Sequence, residues 1–367
     1  MAKIFDLDAL QKQGDALLQS KLAVIKNTAK TIVLFGAGSA GQLSRRILNV
    51  HGIYPAYFTD NTPEHWHTQV DGTPVIPPAS LPGIKNIFVI ICCWDFEKIA
   101  KQLQRMQIAE YDGTLYTAFL AMQNREFYRS NIGKISSLAD QLADDRSRQV
   151  LLGLIEHTFS LDCEILKNIC DQDQYFFDPR FFIRPGDTVV DGGAFIGDTV
   201  AEIITRFGRS FHAIHCFEPN SENYNRLINY IGEQKLEGCV IPHNFGLSDK
   251  SALVGFEGSG AGFHKGAETG EHTEQVHLIS LNELFQGQRI DFVKLDVEGA
   301  ELLALRGGAE IIKRDHPRLA ICAYHAPGHI WEIPLLIMSM VPEYKIFMRH
   351  HTLHLQETVV YAINLKR

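Results

Sequence analysis

The sequence predicts an α/β protein built from two parallel-sheet units, and three observations predict it. Thr31 to Gln42 (TIVLFGAGSAGQ) reads as a strand running into a Gly-x-Gly-x-x-Gly turn and a helix. Thr188 to Val200 (TVVDGGAFIGDTV) has the same order of strand, glycine turn and helix. Around both, short apolar runs alternate with helical spacings, as in a sheet covered on its two faces. With 367 residues the chain is long enough for two to three domains.

Taken in order, residues 5 to about 30 carry Leu7, Leu10, Leu17, Leu18, Leu22 and Ile25 at helical spacing. The first strand–turn–helix, Thr31 to Val50, is followed by a strand, YPAYFTD, ending at Asp60. A proline-rich connection, Pro74 to Gly83, leads to the buried strand IFVIICC, the helix DFEKIAKQLQRM and a strand near Glu110 to Tyr116. This unit amounts to one mononucleotide-type half. From about Ala121 to Ile169 the pattern is helical without strand signals and reads as a connection between domains. Asp178 to Asp187 opens the second run, with strands TVVDG, HAIHCFEP, GCVIPHNFGLS, DFVKLDVEG, RLAICAYH, YKIFMRH and ETVVYAI. Helical patterns separate the first five, and the last two predict an antiparallel pair. The expected divisions are 1–120, 121–170 and 171–367. There is no internal repeat and no low-complexity tract.

Composition narrows the class. Hydrophobic residues make up 45% and charged residues 21%, ordinary for a globular protein. A net charge of -8 gives no general attraction to phosphate backbones, so no nucleic-acid partner is expected. The seven cysteines form no Cys-x-x-Cys pair and read as reduced core thiols. Apolar runs such as Asn86 to Trp94 are too short to span a bilayer. The start, MAKIFDLDAL, lacks the basic and apolar regions of a signal peptide. The expectation is a soluble cytoplasmic protein without a membrane partner, its oligomeric state open and a homodimer compatible with it.

The two glycine loops differ in charge. In the first, Gly36, Gly38 and Gly41 follow a strand, and Asp60 stands where an acid could take ribose hydroxyls. This fits a dinucleotide such as NAD(H), with the pyrophosphate on the helix N-terminus. The alternative is that Gly38 and Gly41 only let helix and sheet pack closely. Two absences count against a dehydrogenase: no second mononucleotide half is adjacent, and no Tyr-x-x-x-Lys pair occurs. In the second loop a carboxylate, Asp191, stands at the strand end before Gly192, Gly193, Ala194 and Gly197. That is hostile to a pyrophosphate and suits a cofactor with a cationic end. Glu218 ends the next strand and could accept both ribose hydroxyls. Ser248 and Asp249 end the third, within reach of an adenine amino group. These features describe S-adenosylmethionine; the alternative is that the acids cap helices.

Residues from about Asp178 to Arg367 resemble the FkbM-type, class I S-adenosylmethionine-dependent methyltransferases. The resemblance rests on PGDTVVDGGAFIGDT, which extends the loop through Asp198 and Thr199, on FEPN, on GLSD, and above all on DFVKLDVEGAELLALRGG, Asp291 to Gly308. It implies a seven-stranded, mostly parallel Rossmann-like sheet with an antiparallel C-terminal strand. It also implies S-adenosylmethionine as cofactor, and O-methylation of a sugar, glycan or natural-product hydroxyl. The N-terminal unit is similar, more loosely, to small Rossmann-like domains beside sugar-modifying enzymes, which fixes no ligand. The remaining alternatives are a nicotinamide-dependent enzyme using the first loop, or an N-terminal interaction module without ligand.

Methyl transfer from a sulfonium needs in-line reactants, exclusion of water and removal of the acceptor's proton. Lys294, Asp296 and Glu298 share one parity and point to one side while the chain stays extended. If the strand ending at His325 neighbours theirs, His325 is the base, and Asp296 orients it or contacts the cofactor. The catalytic candidates are thus His325, Asp296 and Glu298. The plainer readings are that Glu298 and Glu301 favour a helix dipole and that Lys294 pairs with a buried carboxylate. Asp296, Glu298 and His325 match no recognised metal spacing, so no metal is expected. His65 and His67 read as surface, whereas Arg349, His350 and His351 could line an acceptor pocket. Gly258 to Gln275 reads as a loop closing over the acceptor or as an ordinary insertion.

Overall fold

The computed structural model describes residues 5–27, 29–93, 96–257 and 273–366. Expectations that fall on 1–4, 94–95 and 258–272 lie outside them, including most of the Gly258 to Gln275 loop. Among the described residues no helix is long and apolar enough to cross a membrane.

The chain folds as two compact units. The first comprises residues 1–132, 153–168 and 353–355, and the second 133–152, 169–352 and 356–367. In the first, α1 (Leu7–Lys26) precedes β1 (Thr31–Phe35), α2 (Ser39–Val50), β2 (Tyr57–Thr59), β3 (Gln69–Val70), β4 (Thr73–Ile76), β5 (Ile87–Ile91), α3 (Phe96–Arg105) and β6 (Tyr111–Asp112). The sheet order is β3-β4-β2-β1-β5-β6, parallel except for the β3–β4 pair. The proline-rich stretch conceals β4, since Pro74 sits beside the antiparallel β3 edge, where a missing N–H is tolerated.

Three helices follow: α4 (Leu115–Ala139), α5 (Asp145–Ser160) and α6 (Cys163–Ile169). The stretch expected as a separate connection is divided between the units, because helices with buried apolar faces (Ile135, Leu138, Val150, Leu151) belong to cores and not to a linker.

The second unit is built on β7 (Thr188–Gly192), α7 (Asp198–Phe207), β8 (Ala213–Phe217), α8 (Ser221–Glu233) and β9 (Val240–His243). After the short β10 (Gly246–Leu247) come β11 (Ala252–Glu257), β12 (Thr273–Ile279), α9 (Leu281–Leu284) and β13 (Phe292–Leu295). Then follow α10 (Glu301–Gly307), α11 (Ala309–Asp315), β14 (Arg318–Cys322), α12 (His329–Met340), β15 (Lys345–His350) and β16 (Thr358–Ile363). Seven strands lie in the order β15-β16-β14-β13-β7-β8-β9. Only β16 runs against its neighbours β14 and β15, so the expected seven-stranded sheet with one antiparallel strand is borne out.

One expectation fails. The run GCVIPHNFGLS is two strands, and β10 leaves the main sheet to pair with β12 in a separate three-stranded sheet, β10-β12-β11. Just past β9, the side chain of Asn244 donates to the Glu218 and Pro219 carbonyls and holds the chain where it leaves the ladder. The core beneath the site is aromatic: Phe176, Phe181, Phe292, Phe347 and Tyr361 are buried together. Tyr361 donates no slack here, since its hydroxyl accepts the backbone N–H of Tyr175.

Candidate active site

At the carboxyl ends of β7, β8 and β13, where open parallel sheets bind ligands, lies a cavity of about 470 Å³. Gly193 follows β7, Phe217 ends β8 with Glu218 next to it, Lys294 lies near the end of β13 and Asp296 follows that strand; all line the cavity. Val276 of β12 and the Phe245–Leu247 turn contribute apolar wall, so the inserted sheet helps to shape the site.

Gly193 is required by geometry. Its φ is +73°, and a Cβ there would lie 1.8 Å from the carbonyl oxygen of Asp296. The loop is then tied to β8, because the N–H groups of Gly193 and Ala194 donate to the Phe217 carbonyl. The Phe195 N–H donates to Glu218 at 3.0 Å, and the Asn220 N–H to its other oxygen at 2.9 Å. Burial raises the pKa of Glu218 against these bonds. Non-glycine residues in the left-handed region are uncommon, yet four of them line this cavity: Tyr175, Phe195, Glu298 and Glu357. Such strain gathers at functional sites.

Charge separates the wall from what lies beneath. Asp191 is wholly buried and does not line the cavity. It faces Lys294, whose Nζ lies 3.0 Å from its Oδ1 and donates to the carbonyls of Gly193 and Gly192 at 2.8 and 3.3 Å. Burial would lower the pKa of Lys294, but Asp191 and Asp296 outweigh it and raise it. Asp191, expected to meet a cationic ligand, has Lys294 as its partner in the structure and lies beneath the wall. The acids that do face the cavity are Asp198, Glu218, Asp296, Glu298 and Glu357. Lys294 is the one basic residue among the described lining residues, and it is already engaged.

The β13–β14 pairing brings Asp296 and His325 together, as the sequence anticipated. His325 Nε2 lies 3.5 Å from Asp296 Oδ1 and 3.5 Å from Glu298 Oε2. Asp296 is held on both oxygens, by the hydroxyls of Tyr175 and Tyr324, each at 3.0 Å. Glu298 is not helical. The chain leaves β13 at Leu295 and turns through Glu298 (φ +51°) before α10 begins at Glu301. Glu301 does more than favour a helix dipole: fully buried, it accepts the N–H groups of Val297 and Gly299 and faces His325 and His329. Sequence reasoning missed Glu301 in this role, and missed Tyr175, Asn220, Asn223, Phe245 and Glu357 on the wall. Strand parity does not extend to Glu301, which lies past the left-handed turn at Glu298.

Other candidates fall elsewhere. Gly192, Ala194 and Gly197 shape the loop, whereas Asp198 and Thr199 reach the cavity. Ser248 and Asp249 are bonded to each other and lie against Gly307; Phe245 to Leu247 stand at the wall in their place. Arg349 pairs with Asp144, His350 bonds Thr358, and His351 bonds Tyr361 and the Asp171 carbonyl, so none of the three lines the cavity. Asp296, Glu301 and His325, or Asp296, Cys322 and Glu357, bring metal-ligand atoms within 4.8 Å, but Asp296 is already held by two tyrosines and Glu301 by backbone donors.

In the first unit, Gly36 (φ +116°) packs on the Cys92 carbonyl, and a Cβ on Gly41 would lie 1.9 Å from the Gly36 oxygen. Close packing thus accounts for Gly36 and Gly41, while Gly38 faces open space. Asp60 does not present a free carboxylate: it accepts the N–H groups of Ala37 and Thr62 at 2.8 and 2.9 Å. His65 lies 3.5 Å from it.

Residues 191–352 match the family model described as the methyltransferase FkbM domain, within the span the sequence resemblance indicated. Among solved structures, a methyltransferase FkbM from Methylobacillus flagellatus is 20% identical, with 97% of this chain and 98% of that one covered at a TM-score of 0.67, a likeness of fold. A putative rRNA methylase from Clostridium thermocellum (10%, 50% and 88% covered, TM-score 0.34) and Aeropyrum pernix fibrillarin in complex with S-adenosyl-L-methionine (12%, 49% and 67%, TM-score 0.31) are more distant. No curated protein matches the chain.

Proposed function

We propose that this chain, which carries a methyltransferase FkbM domain at residues 191–352, transfers a methyl group from S-adenosylmethionine to a hydroxyl of a sugar, glycan or natural product. The observation that carries the proposal is the cavity wall: five acids and no disengaged cation among its described residues. Such a wall repels a pyrophosphate and favours a ligand with a sulfonium and an ammonium group. When bound, that cofactor supplies an activated methyl group. Glu218, just past the end of β8, is the ribose acceptor in this reading, with Asp198 and Thr199 elsewhere on the same wall and Phe245 and Leu247 offering apolar contact to a base.

The acceptor end is the region of Asp296, Glu298, Tyr324 and Glu357. His325 is not itself a lining residue; it stands behind Asp296 and Glu298 with Nε2 turned towards both, and in this reading it takes the hydroxyl proton there. Asp296, fixed by two tyrosine hydroxyls, positions the acceptor.

Calorimetry with S-adenosylhomocysteine, and mass spectrometry of hydroxyl acceptors with labelled cofactor, test the reading. Binding that is weakened about 10-fold or more in Glu218→Ala and a 14-dalton gain on an oxygen are expected; failure of the folded chain to bind, or a gain on nitrogen or carbon, overturns it.

A further inference from the structure

Glu301, like Asp191, is a fully buried carboxylate close to the cavity, and its surroundings are built for a charge. It has no accessible surface, accepts two backbone N–H groups at 2.9 and 3.3 Å, and faces two histidine rings. Its Oε1 lies 2.8 Å from Nδ1 of His325, a close but bent ion-pair contact, and its Oε2 lies 3.3 Å from Nδ1 of His329. His325 itself is enclosed, with 9% of its side chain exposed and its ring 4.1 Å from that of Tyr324. We infer that Glu301 is a positioning residue for methyl transfer: it keeps a proton on Nδ1 of His325 and leaves Nε2 as the nitrogen that accepts the acceptor's proton. The inference rests on the proposed role of His325 as base.

A carboxylate beside one imidazole nitrogen selects the tautomer and makes the other nitrogen more basic. Asp296, which the sequence favoured as the orienting acid, lies 3.5 Å from Nε2, on the reacting side, and is held by Tyr175 and Tyr324. The division of labour is therefore Glu301 behind the ring and Asp296 in front of it. In the reaction the acceptor oxygen gains the methyl carbon and loses its proton to Nε2. The sulfur–methyl bond breaks with its electrons left on sulfur, which becomes a neutral thioether. The imidazolium formed is stabilised by Glu301 and returns its proton to water.

The groups facing His325 are Asp296 and Glu298 from the turn after β13, Glu301 at the start of α10, Tyr324 beside it in the loop after β14, His329 from α12 and Glu357 before β16. Burial lowers the pKa of His325, but the carboxylates outweigh it and raise it, Glu301 most. The rate should then rise with pH through that raised value, as the ring becomes neutral.

Nitrogen-15 NMR of histidine-labelled full-length protein, with His325 assigned by its loss in His325→Gln, reads the tautomer directly. Above its pKa the wild-type ring should carry its proton on Nδ1; a proton on Nε2 overturns the inference without any variant of Glu301. In Glu301→Gln the His325 pKa should fall, and the acidic limb of kcat should move to lower pH. The plateau should drop about 10- to 100-fold, while S-adenosylhomocysteine affinity stays within about twofold. Glu310→Gln, an exposed carboxylate on α11, should change nothing. An unchanged tautomer and pKa in folded Glu301→Gln refutes the positioning role. Full activity of His325→Gln would instead remove the base assignment, with the tautomer result standing apart from it.

Discussion

Replacing Asp191 with Asn, Lys294 with Met, and both together separates a structural carboxylate from a ligand-binding one. The two charges stand 3.0 Å apart with side chains 0% and 4% exposed. At an effective dielectric near 20 their attraction is about 5–6 kcal/mol, most of it offset by the cost of burying both ions. Removing either partner strands the other, at about 3–5 kcal/mol. Lys294→Met also deprives two carbonyls of their donor. Each single variant should therefore lower the Tm of the second unit by about 6–20 °C, and the double variant by less than the sum. Trp331, buried in α12, reports that unit's unfolding by fluorescence. Because Asp191 is not on the cavity wall, folded Asp191→Asn should keep S-adenosylhomocysteine affinity within a few-fold. Additive single variants, or lost binding at unchanged stability, would refute the reasoning and return Asp191 to the role of cation receptor.

Glu218→Ala should weaken S-adenosylhomocysteine about 10-fold or more, since it removes a charge-assisted acceptor and frees the Phe195 and Asn220 N–H groups; equal affinity by calorimetry would contradict this. Gly193→Ala should abolish binding, because its Cβ cannot coexist with the Asp296 carbonyl in a left-handed turn; a folded variant binding normally would show the loop to be plastic. NAD(H) should leave the melting curve unmoved, as Asp60 is engaged with Ala37 and Thr62; a shift lost on Gly38→Glu would restore the dinucleotide alternative. Acid should destabilise the wild type more than Glu301→Gln. His325 and His329 overcome burial to hold Glu301 at about 2, so this depressed acid contributes stability above the unfolded carboxyl range that is lost as pH falls from there through about 2. Parallel acid unfolding of the two would count against it.

Local order carried a great deal of this molecule. Apolar periodicity and glycine turns placed both sheets, and the alternation of strands and helices implied their parallel sense, because a chain must bury one face at a time. The run from Lys294 to Glu298 disclosed a carboxylate-rich strand end, and the closing pair of strands was legible as a hairpin. What stayed hidden depends on where the chain turns. Two glutamates three residues apart, Glu298 and Glu301, look alike in sequence; a left-handed turn sends one to the cavity mouth and the other under His325. Asp191 and Lys294 are about a hundred positions apart, and only the β7–β13 register makes them partners. Sequence fixes which charges exist and on which strand they end, whereas their protonation and duty follow from distance and burial, quantities that only the packed sheet supplies.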